Sequence, residues 1–245
     1  MQPNDDGRRQ YAAADEFEDC GEDGRDLYGQ IGRAFFDRFE LPEEKLPAFV
    51  TERLEITRGH MARQHLPENF YDKIKPSLHR RIGRELRLAR YVLDLGCGSC
   101  ELVRYLVDAY GQEVTGVDIS SDSFPDRRGR TRQGIRFHCI RRDASDLEFA
   151  TDGSMDAVVM VWALHEMEKA GTILGEACRV LRPGGEVLIV DFPRGSLAQQ
   201  LWDEDYYRPQ EVKSLLRLAG FIDVRVRLIE HEQVTWARGF RPAVA

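Results

Sequence analysis

From residue 91 to residue 192 the chain alternates short apolar runs with stretches of helical periodicity, and this alternation restricts the fold more than any other feature. The runs are Tyr91–Leu95, Glu113–Asp118, Ile135–Ile140, Met155–Val161 and Glu186–Phe192. Each has the length of a strand rather than a helix. Strands of this kind joined by helices form βαβ units, and such units build a mostly parallel sheet with helices on both faces. Helices are predicted over Glu101–Tyr110, over a stretch ending at Arg182-Pro183-Gly184-Gly185, and over Pro209–Leu218, stopped by Gly220. Val224–Leu228 and Gln233–Trp236 are predicted as two final strands.

Upstream the character changes. Residues 1–25 are acidic and poor in large apolar groups, which predicts a mobile arm. Phe35, Phe36 and Phe39 recur at helical spacing, and Pro42 and Pro47 break the pattern, so short helices are expected to form an N-terminal cap over 26–70. A further helix is predicted over Ile74–Arg90. No internal repeat or low-complexity linker follows residue 30, and one α/β domain is expected over 71–245. No apolar run approaches the ~18–20 residues that span a bilayer, and the N-terminal residues lack the apolar core of a secretory leader. The five cysteines show no framework-like regularity, so reduced thiols and a cytoplasmic location are expected. A net charge of -7 weighs against nonspecific nucleic-acid binding.

The first run leads into Val92-Leu93-Asp94-Leu95-Gly96-Cys97-Gly98-Ser99-Cys100, which carries two signals. Cys97 and Cys100 have the spacing of a redox pair. Gly96 and Gly98, between a strand and a helix, fit the first turn of a nucleotide-binding sheet, where the backbone approaches its ligand closely. Asp118 lies 20 residues after Gly98 at the end of the second strand, where a carboxylate accepts ribose hydroxyls. The acid favours the nucleoside reading over the dithiol. A dinucleotide fingerprint would need glycine at Glu101, whose carboxylate would repel a pyrophosphate, and the GK[ST] of a P-loop is absent. Asp94, two residues before the first glycine, suits a ligand carrying an ammonium group.

The segments VLDLGCGSCELV, VTGVDIS, RRDASDLEF, MDAVVMVWALHEM and VLRPGGEVLIVDF, in this order, resemble the successive motifs of class I S-adenosylmethionine-dependent methyltransferases, over about residues 70 to 236. The resemblance implies a Rossmann-like seven-stranded sheet whose last strand is antiparallel, with S-adenosylmethionine as cofactor. By the same resemblance Asp94 and Gly96 line the methionine part, Asp118 holds the ribose, and Asp143 with Ala144 borders the adenine. Val161 and Trp162 would face the methionine end, and Tyr71-Asp72 resembles a pair found ahead of the first motif. Cys97, Gly98 and Ile119 complete the expected cofactor-contacting set. The family pattern has a third glycine where this chain has Cys100.

Methyl transfer needs alignment of an acceptor and exclusion of water, with a base only if the acceptor arrives protonated. His165, just after the fourth run, is the candidate base, and Asp191 has a similar standing. The alternative is that His165 is a solvated residue at a helix start. Trp202, Tyr206 and Tyr207 could wall an acceptor pocket edged by Asp203, Glu204 and Asp205, or merely pack the helix that follows. Seven arginines between Arg127 and Arg142 are the one nucleic-acid-like feature, without interleaved stacking aromatics. His138 and Cys139 have no metal-ligand spacing with other residues, and no metal is expected. The expectation is a methyltransferase acting on a small molecule, with no nucleic-acid or membrane partner. The alternatives are an RNA or protein methyltransferase and a non-catalytic cofactor-binding module.

Overall fold

The computed structural model describes residues 66–125 and 137–243. The arm over 1–25, the cap expected over 26–70 apart from its last few residues, and most of the arginine-rich span lie outside the described residues.

The elements are α1 (Phe70–Glu85), β1 (Tyr91–Leu95), α2 (Glu101–Tyr110), β2 (Glu113–Asp118), β3 (Phe137–Arg141), β4 (Met155–Val161), a 3₁₀ turn (Leu164–Glu166), α3 (Ala170–Val180), β5 (Leu181–Asp191), α4 (Leu197–Trp202), α5 (Pro209–Leu218), β6 (Ile222–Ile229) and β7 (Val234–Phe240). The seven strands are ordered β3-β2-β1-β4-β5-β7-β6. Strands β1 to β5 pair in parallel, whereas β7 runs antiparallel to both β5 and β6.

Side-chain alternation along the central strands divides the core in two. Val92, Val114, Phe137, Val159 and Val190 pack with α1, α2 and α4 on one face. Leu93, Leu95, Val117, Val158, Met160 and Ile189 pack with α3 and α5 on the other. In α2, Leu102, Val103, Leu106 and Val107 are buried, each such burial being worth roughly 1.5–3 kcal/mol. Gly111 ends that helix at φ 69°, the left-handed conformation that terminates many helices.

The chain moves from β1 out to β2 and β3, then returns to the opposite side of β1 to lay down β4. That reversal opens a crevice beyond the carboxyl ends of β1 and β4, the usual ligand position in an open α/β sheet.

Several boundaries differ from the sequence-based expectation. Arg182-Pro183-Gly184-Gly185 does not stop a helix: α3 ends at Val180, and these residues bulge out of β5 between the pairs Met155↔Leu181 and Ala157↔Glu186. Gly184 sits at φ 74°, and a Cβ on Gly185 would lie 2.8 Å from the Arg182 carbonyl oxygen, so the bulge requires this composition. Helix α1 starts at Phe70 rather than Ile74 and stops at Glu85 rather than Arg90. The turn that follows is held by Gln112, whose side-chain amide donates to the carbonyls of Leu86 and Ala89. Strand β3 ends at Arg141, β6 and β7 extend beyond their expected cores, and α4 lies in a stretch for which no element was predicted.

Candidate active site

The loop after β1 is built by backbone hydrogen bonds. The N–H groups of Gly96 and Cys97 both donate to the Val117 carbonyl, at 2.8 and 3.1 Å. Gly98 N–H donates to Asp118 Oδ2 at 2.8 Å and Ser120 N–H to Oδ1 at 3.0 Å, which fixes the carboxylate at the end of β2. Each oxygen retains a lone pair for a ribose hydroxyl.

The two glycines act differently. Gly96 has φ 76°, and a Cβ there would lie 2.4 Å from the Ala163 side chain, so its close approach is to the segment after β4 rather than to a ligand. Gly98 has φ 48° and open space where its Cβ would be, which is the position that lets a ligand reach the backbone. Cys100 takes the left-handed conformation, φ 57°, at the start of α2, a conformation that glycine adopts at less cost. Its sulfur is buried and joined to Cys139 of β3. The expectation of reduced thiols is therefore corrected at this pair, and the CxxC spacing does not mark the bond: Cys97 remains a free thiol, its sulfur 3.6 Å from that of Cys100.

Asp94 is 2% exposed and has no hydrogen-bond donor among the described residues. Burial, reinforced by the neighbouring Asp118 charge, pushes its carboxyl up to about 7. A buried carboxylate without a partner is costly, and a cation delivered by a ligand would relieve that cost. Glu101, by contrast, is paired with Lys75 at 2.5 Å, which draws its carboxyl below the ordinary range. Its charge is therefore compensated, and repulsion by Glu101 is a weaker argument against a pyrophosphate than the sequence suggested. Asp94 carries that argument instead.

The other positions expected to contact the cofactor follow β2, β3 and β4. Ile119, beside Asp118, is 71% exposed and offers an apolar surface to a flat ring. Asp143 caps its own turn through Ser145 N–H at 2.8 Å, which lowers its pKa, and Ala144 beside it is half-buried. Val161 ends β4, and Trp162 follows at φ 55°, a strained conformation for a bulky side chain. The buried indole N–H of Trp162 has no acceptor among the described residues. These unsatisfied groups, the open space at Gly98 and the free lone pairs of Asp118 fit an amino-acid-bearing nucleoside such as S-adenosylmethionine.

Tyr71 lies beside Trp162, with ring centroids 6.2 Å apart. Its hydroxyl accepts Ala198 N–H at 2.9 Å and so holds the first turn of α4, while its ring packs on Phe192 and Trp202 at 4.7 and 5.4 Å between centroids.

Beyond β4 and β5, two strand ends meet. Val161 pairs with Val190, so residues following the two strands share one rim. There the side chain of His165, 4% exposed, places Nδ1 2.7 Å from Asp191 Oδ1. Asp191 is also buried and accepts two further bonds, from the backbone N–H groups of His165 and Phe192. Against an ionised carboxylate the neutral ring carries its proton on Nδ1 and leaves the Nε2 lone pair open, whereas the protonated ring donates from both nitrogens. Burial lowers the pKa of His165, but the Asp191 hydrogen bond and charge, together with Glu166 and Glu204, raise it overall. Nε2 lies 3.3 Å from Glu204 and 3.8 Å from Glu166. Tyr206 donates to Glu204 at 3.1 Å, and burial and that carboxylate keep its hydroxyl protonated by pushing its pKa up.

Sequence reasoning placed His165 at this rim but did not pair it with Asp191, nor assign Phe192 to the site. Phe192 is the centre of an aromatic cluster with Tyr71, Trp162, Trp202 and Tyr206, at centroid distances of 4.7 to 5.5 Å. Its one legible signal was its position directly after a strand-end acid. The fold also gathers two trios of ligand-type residues that spacing does not reveal: Cys97 with Cys100 and Cys139, and His165 with Glu166 and Glu204. A hollow of about 280 Å³ between α1 and α2 is lined by Lys75, Pro76, His79, Arg80, Glu101 and Tyr105, none of them a strand-end residue.

The chain is similar to known proteins in sequence and in fold. Residues 92–185 match the family model described as "Methyltransferase domain". The chain is 31% identical over 163 residues to the O-methyltransferase cnsE of Penicillium expansum, covering 60% of this chain and 59% of that one. It is 34% identical over 104 residues to the demethylmenaquinone methyltransferase of Thermus thermophilus, covering 42% and 47% respectively. The chain thus spans about half the length of these curated relatives. Among solved structures, a SAM-dependent methyltransferase from Archaeoglobus fulgidus superposes with a TM-score of 0.56 at 18% identity, over 70% of this chain and 97% of that one. The 1,6-didemethyltoxoflavin-N1-methyltransferase of Burkholderia thailandensis, solved with 1,6-didemethyltoxoflavin and S-adenosylhomocysteine, gives 0.54 at 21% identity, over 76% and 90%. Together these similarities show that the described residues share the Rossmann-like fold of S-adenosylmethionine-dependent methyltransferases, with residues 92–185 matching a methyltransferase domain.

Proposed function

We propose that the protein transfers the methyl group of S-adenosylmethionine to a small-molecule acceptor whose accepting atom arrives protonated. The observation that carries this reading is the buried His165–Asp191 pair at the rim shared by β4 and β5, facing aromatic side chains. The cofactor supplies an activated methyl on a sulfonium, so the protein's part is to orient, dehydrate and deprotonate.

In this reading Asp118 takes the ribose hydroxyls, and Asp94 takes the ammonium of the methionine moiety. Trp162 and Ile119 frame the two ends, and Asp143 with Ala144 borders the adenine. Phe192, Trp202 and Tyr206 exclude water and favour a flat acceptor. Asp191 holds His165 so that Nε2 is the basic atom, and the half-exposed Glu204 side chain swings aside to admit the acceptor. The proton leaves the acceptor for Nε2, and a base of this kind contributes typically ~10²–10⁴-fold. The names of relatives that act on quinones and on other small molecules support this acceptor class. A cytoplasmic location belongs to the same reading; among the described residues no helix is long and apolar enough to cross a membrane.

The test is calorimetric titration with S-adenosylhomocysteine, followed by turnover against phenols, quinols and amines of small size, with RNA and protein acceptors alongside. Binding with turnover of a small acceptor is the expected result. Turnover of RNA or protein alone would replace the acceptor class, and binding without turnover by any acceptor would favour the non-catalytic module.

A further inference from the structure

Three of the five cysteines converge beneath the loop that would receive the cofactor, although they come from three places in the sequence. Cys97 lies within the loop, Cys100 begins α2, and Cys139 lies on β3, paired in register with Gly116 of β2. The floor of this cluster is Gly116: a Cβ there would fall 2.7 Å from the Cys97 sulfur. The Cys97 sulfur therefore occupies space that the absent side chain of Gly116 leaves for it. Cys100 is joined to Cys139, and the closed loop spans a sequence separation of 39 residues. A metal does not fit this arrangement, since two of the three sulfurs are bonded to each other and no fourth ligand-type residue joins the group among the described residues.

We propose that Cys100 and Cys139 form a reversible thiol–disulfide site that sets the affinity of the cofactor loop. The argument rests on the reading of that loop as the cofactor's. Cys100 N–H donates to the Cys97 carbonyl at 2.8 Å and closes the turn that presents Gly98 N–H to Asp118. A covalent bond from Cys100 to β3 anchors the far end of that turn, so the oxidised protein holds the ribose acceptor and the open backbone at Gly98 in place. Without the bond the turn is held by its hydrogen bonds alone, and ordering it is charged to ligand binding.

The chemistry needs an external disulfide, such as oxidised glutathione. Cys139 is half-buried and is the more exposed of the two, whereas Cys100 is fully buried. The Cys139 thiolate attacks the glutathione disulfide, forming a mixed disulfide and releasing one glutathione thiolate. The Cys100 thiolate then attacks the Cys139 sulfur and releases the second. Two protein thiols become one disulfide, and one glutathione disulfide becomes two thiols. Burial and the nearby Asp94 and Asp118 charges keep Cys97 protonated, so it stays out of the exchange. In a reducing compartment a disulfide of this kind is transient, as expected of a sensor.

The experiment uses the full chain, equilibrated either with oxidised glutathione or with dithiothreitol. Each sample is alkylated and peptide-mapped by mass spectrometry, melted, and titrated with S-adenosylhomocysteine. The proposal expects a Cys100–Cys139 linkage with Cys97 alkylated in the first sample, three alkylated thiols in the second, a lower melting temperature on reduction, and a several-fold loss of affinity. Cys139→Ser should bind as the reduced protein does under both conditions. A Cys97–Cys100 linkage, no linkage, or equal affinity in two correctly mapped states would overturn it. If neither state binds S-adenosylhomocysteine, the methyltransferase reading and the control of affinity both fall, while the linkage map and melting shift still decide whether the thiol site exists.

Discussion

Replacing Asp94 with asparagine should make the ligand-free domain more stable at neutral and alkaline pH while weakening cofactor binding. The ordinary aspartate value is ~3.9, and burial beside Asp118 raises that of Asp94 to about 7. At ~1.4 kcal/mol for each tenfold change in proton affinity, holding Asp94 ionised in the fold costs on the order of 4 kcal/mol. Because the folded value is raised, the native state keeps a proton that the unfolded chain has already lost between about pH 4 and about pH 7. Unfolding in that window releases a proton, so stability falls as pH rises through it and levels off above about 7. Asparagine has no such slope. The two proteins should be similar near pH 4 and diverge towards pH 8 by up to ~4 kcal/mol, the neighbours' relaxation making this an upper limit. For a domain of this size ~1 kcal/mol moves the melting temperature by roughly 2–4 °C, so the variant should melt on the order of 10 °C higher at pH 8. Melting curves at half-unit pH intervals measure this directly, and other titrating groups cancel in the difference. In the same variant, loss of a charged partner for the ligand's ammonium, worth ~1.5–3 kcal/mol, should weaken S-adenosylhomocysteine binding roughly 10- to 100-fold. Parallel melting curves across this pH range, or undiminished affinity, would refute the assignment of Asp94 as an unsatisfied acid awaiting a cation.

Further outcomes follow from other parts of the site. His165→Ala should lower kcat/KM by ~10²–10⁴-fold without changing S-adenosylhomocysteine affinity; undiminished turnover on the true acceptor removes it as base. Because the pKa of His165 is raised, wild-type kcat/KM should climb with pH through a value above the ordinary histidine range. Asp191→Asn should move that limb to lower pH, because burial then acts without the opposing carboxylate, and an unmoved limb would detach Asp191 from His165. Gly96→Ala should lower the melting temperature markedly, since its Cβ would meet Ala163 at 2.4 Å in a left-handed conformation. Gly98→Ala should cost the fold only ~1–2 kcal/mol yet weaken S-adenosylhomocysteine binding, and equal effects of the two substitutions in melting and titration would contradict their different roles. Arg179→Ala should destabilise by on the order of 2–3 kcal/mol in urea titration, because it deserts Glu176, Asp152 and the carbonyls of Ala150 and Leu147.

Sequence reading was most accurate where the chain punctuates itself. Helix α2 and strand β2 have the expected ends because Gly111 separates them and a strand-end acid closes β2. It misread Arg182–Gly185 because Pro and Gly serve equally as a helix stop and as a bulge, and the two differ only in what the neighbouring strand does. It missed α4 because six residues between turn formers are too few to display a helical period. Nothing local joins Cys100 to Cys139 either: their meeting depends on the β2–β3 register that sets Cys139 beside Gly116.

The sharper limit concerns two aspartates that look alike in the sequence, each near the end of an apolar run. Asp191 is buried and saturated: it receives the His165 ring and two backbone amides, so its charge is spent on holding a side chain in one orientation. Asp94 is equally buried and receives no hydrogen bond among the described residues. The difference comes from the segments that cross each strand end. After β5 the backbone turns so that Phe192 N–H points back at Asp191, and the 3₁₀ turn after β4 supplies His165 from the adjacent strand. After β1 the loop sends its amides to Val117 and Asp118 instead, leaving Asp94 without a hydrogen bond among the described residues. One acid is thereby committed to bonds within the protein, and the other has none among the described residues. Hence the substitution that stabilises the fold should be the one at Asp94, whereas replacing Asp191 should strip a buried imidazole and two amides of their acceptor and destabilise it.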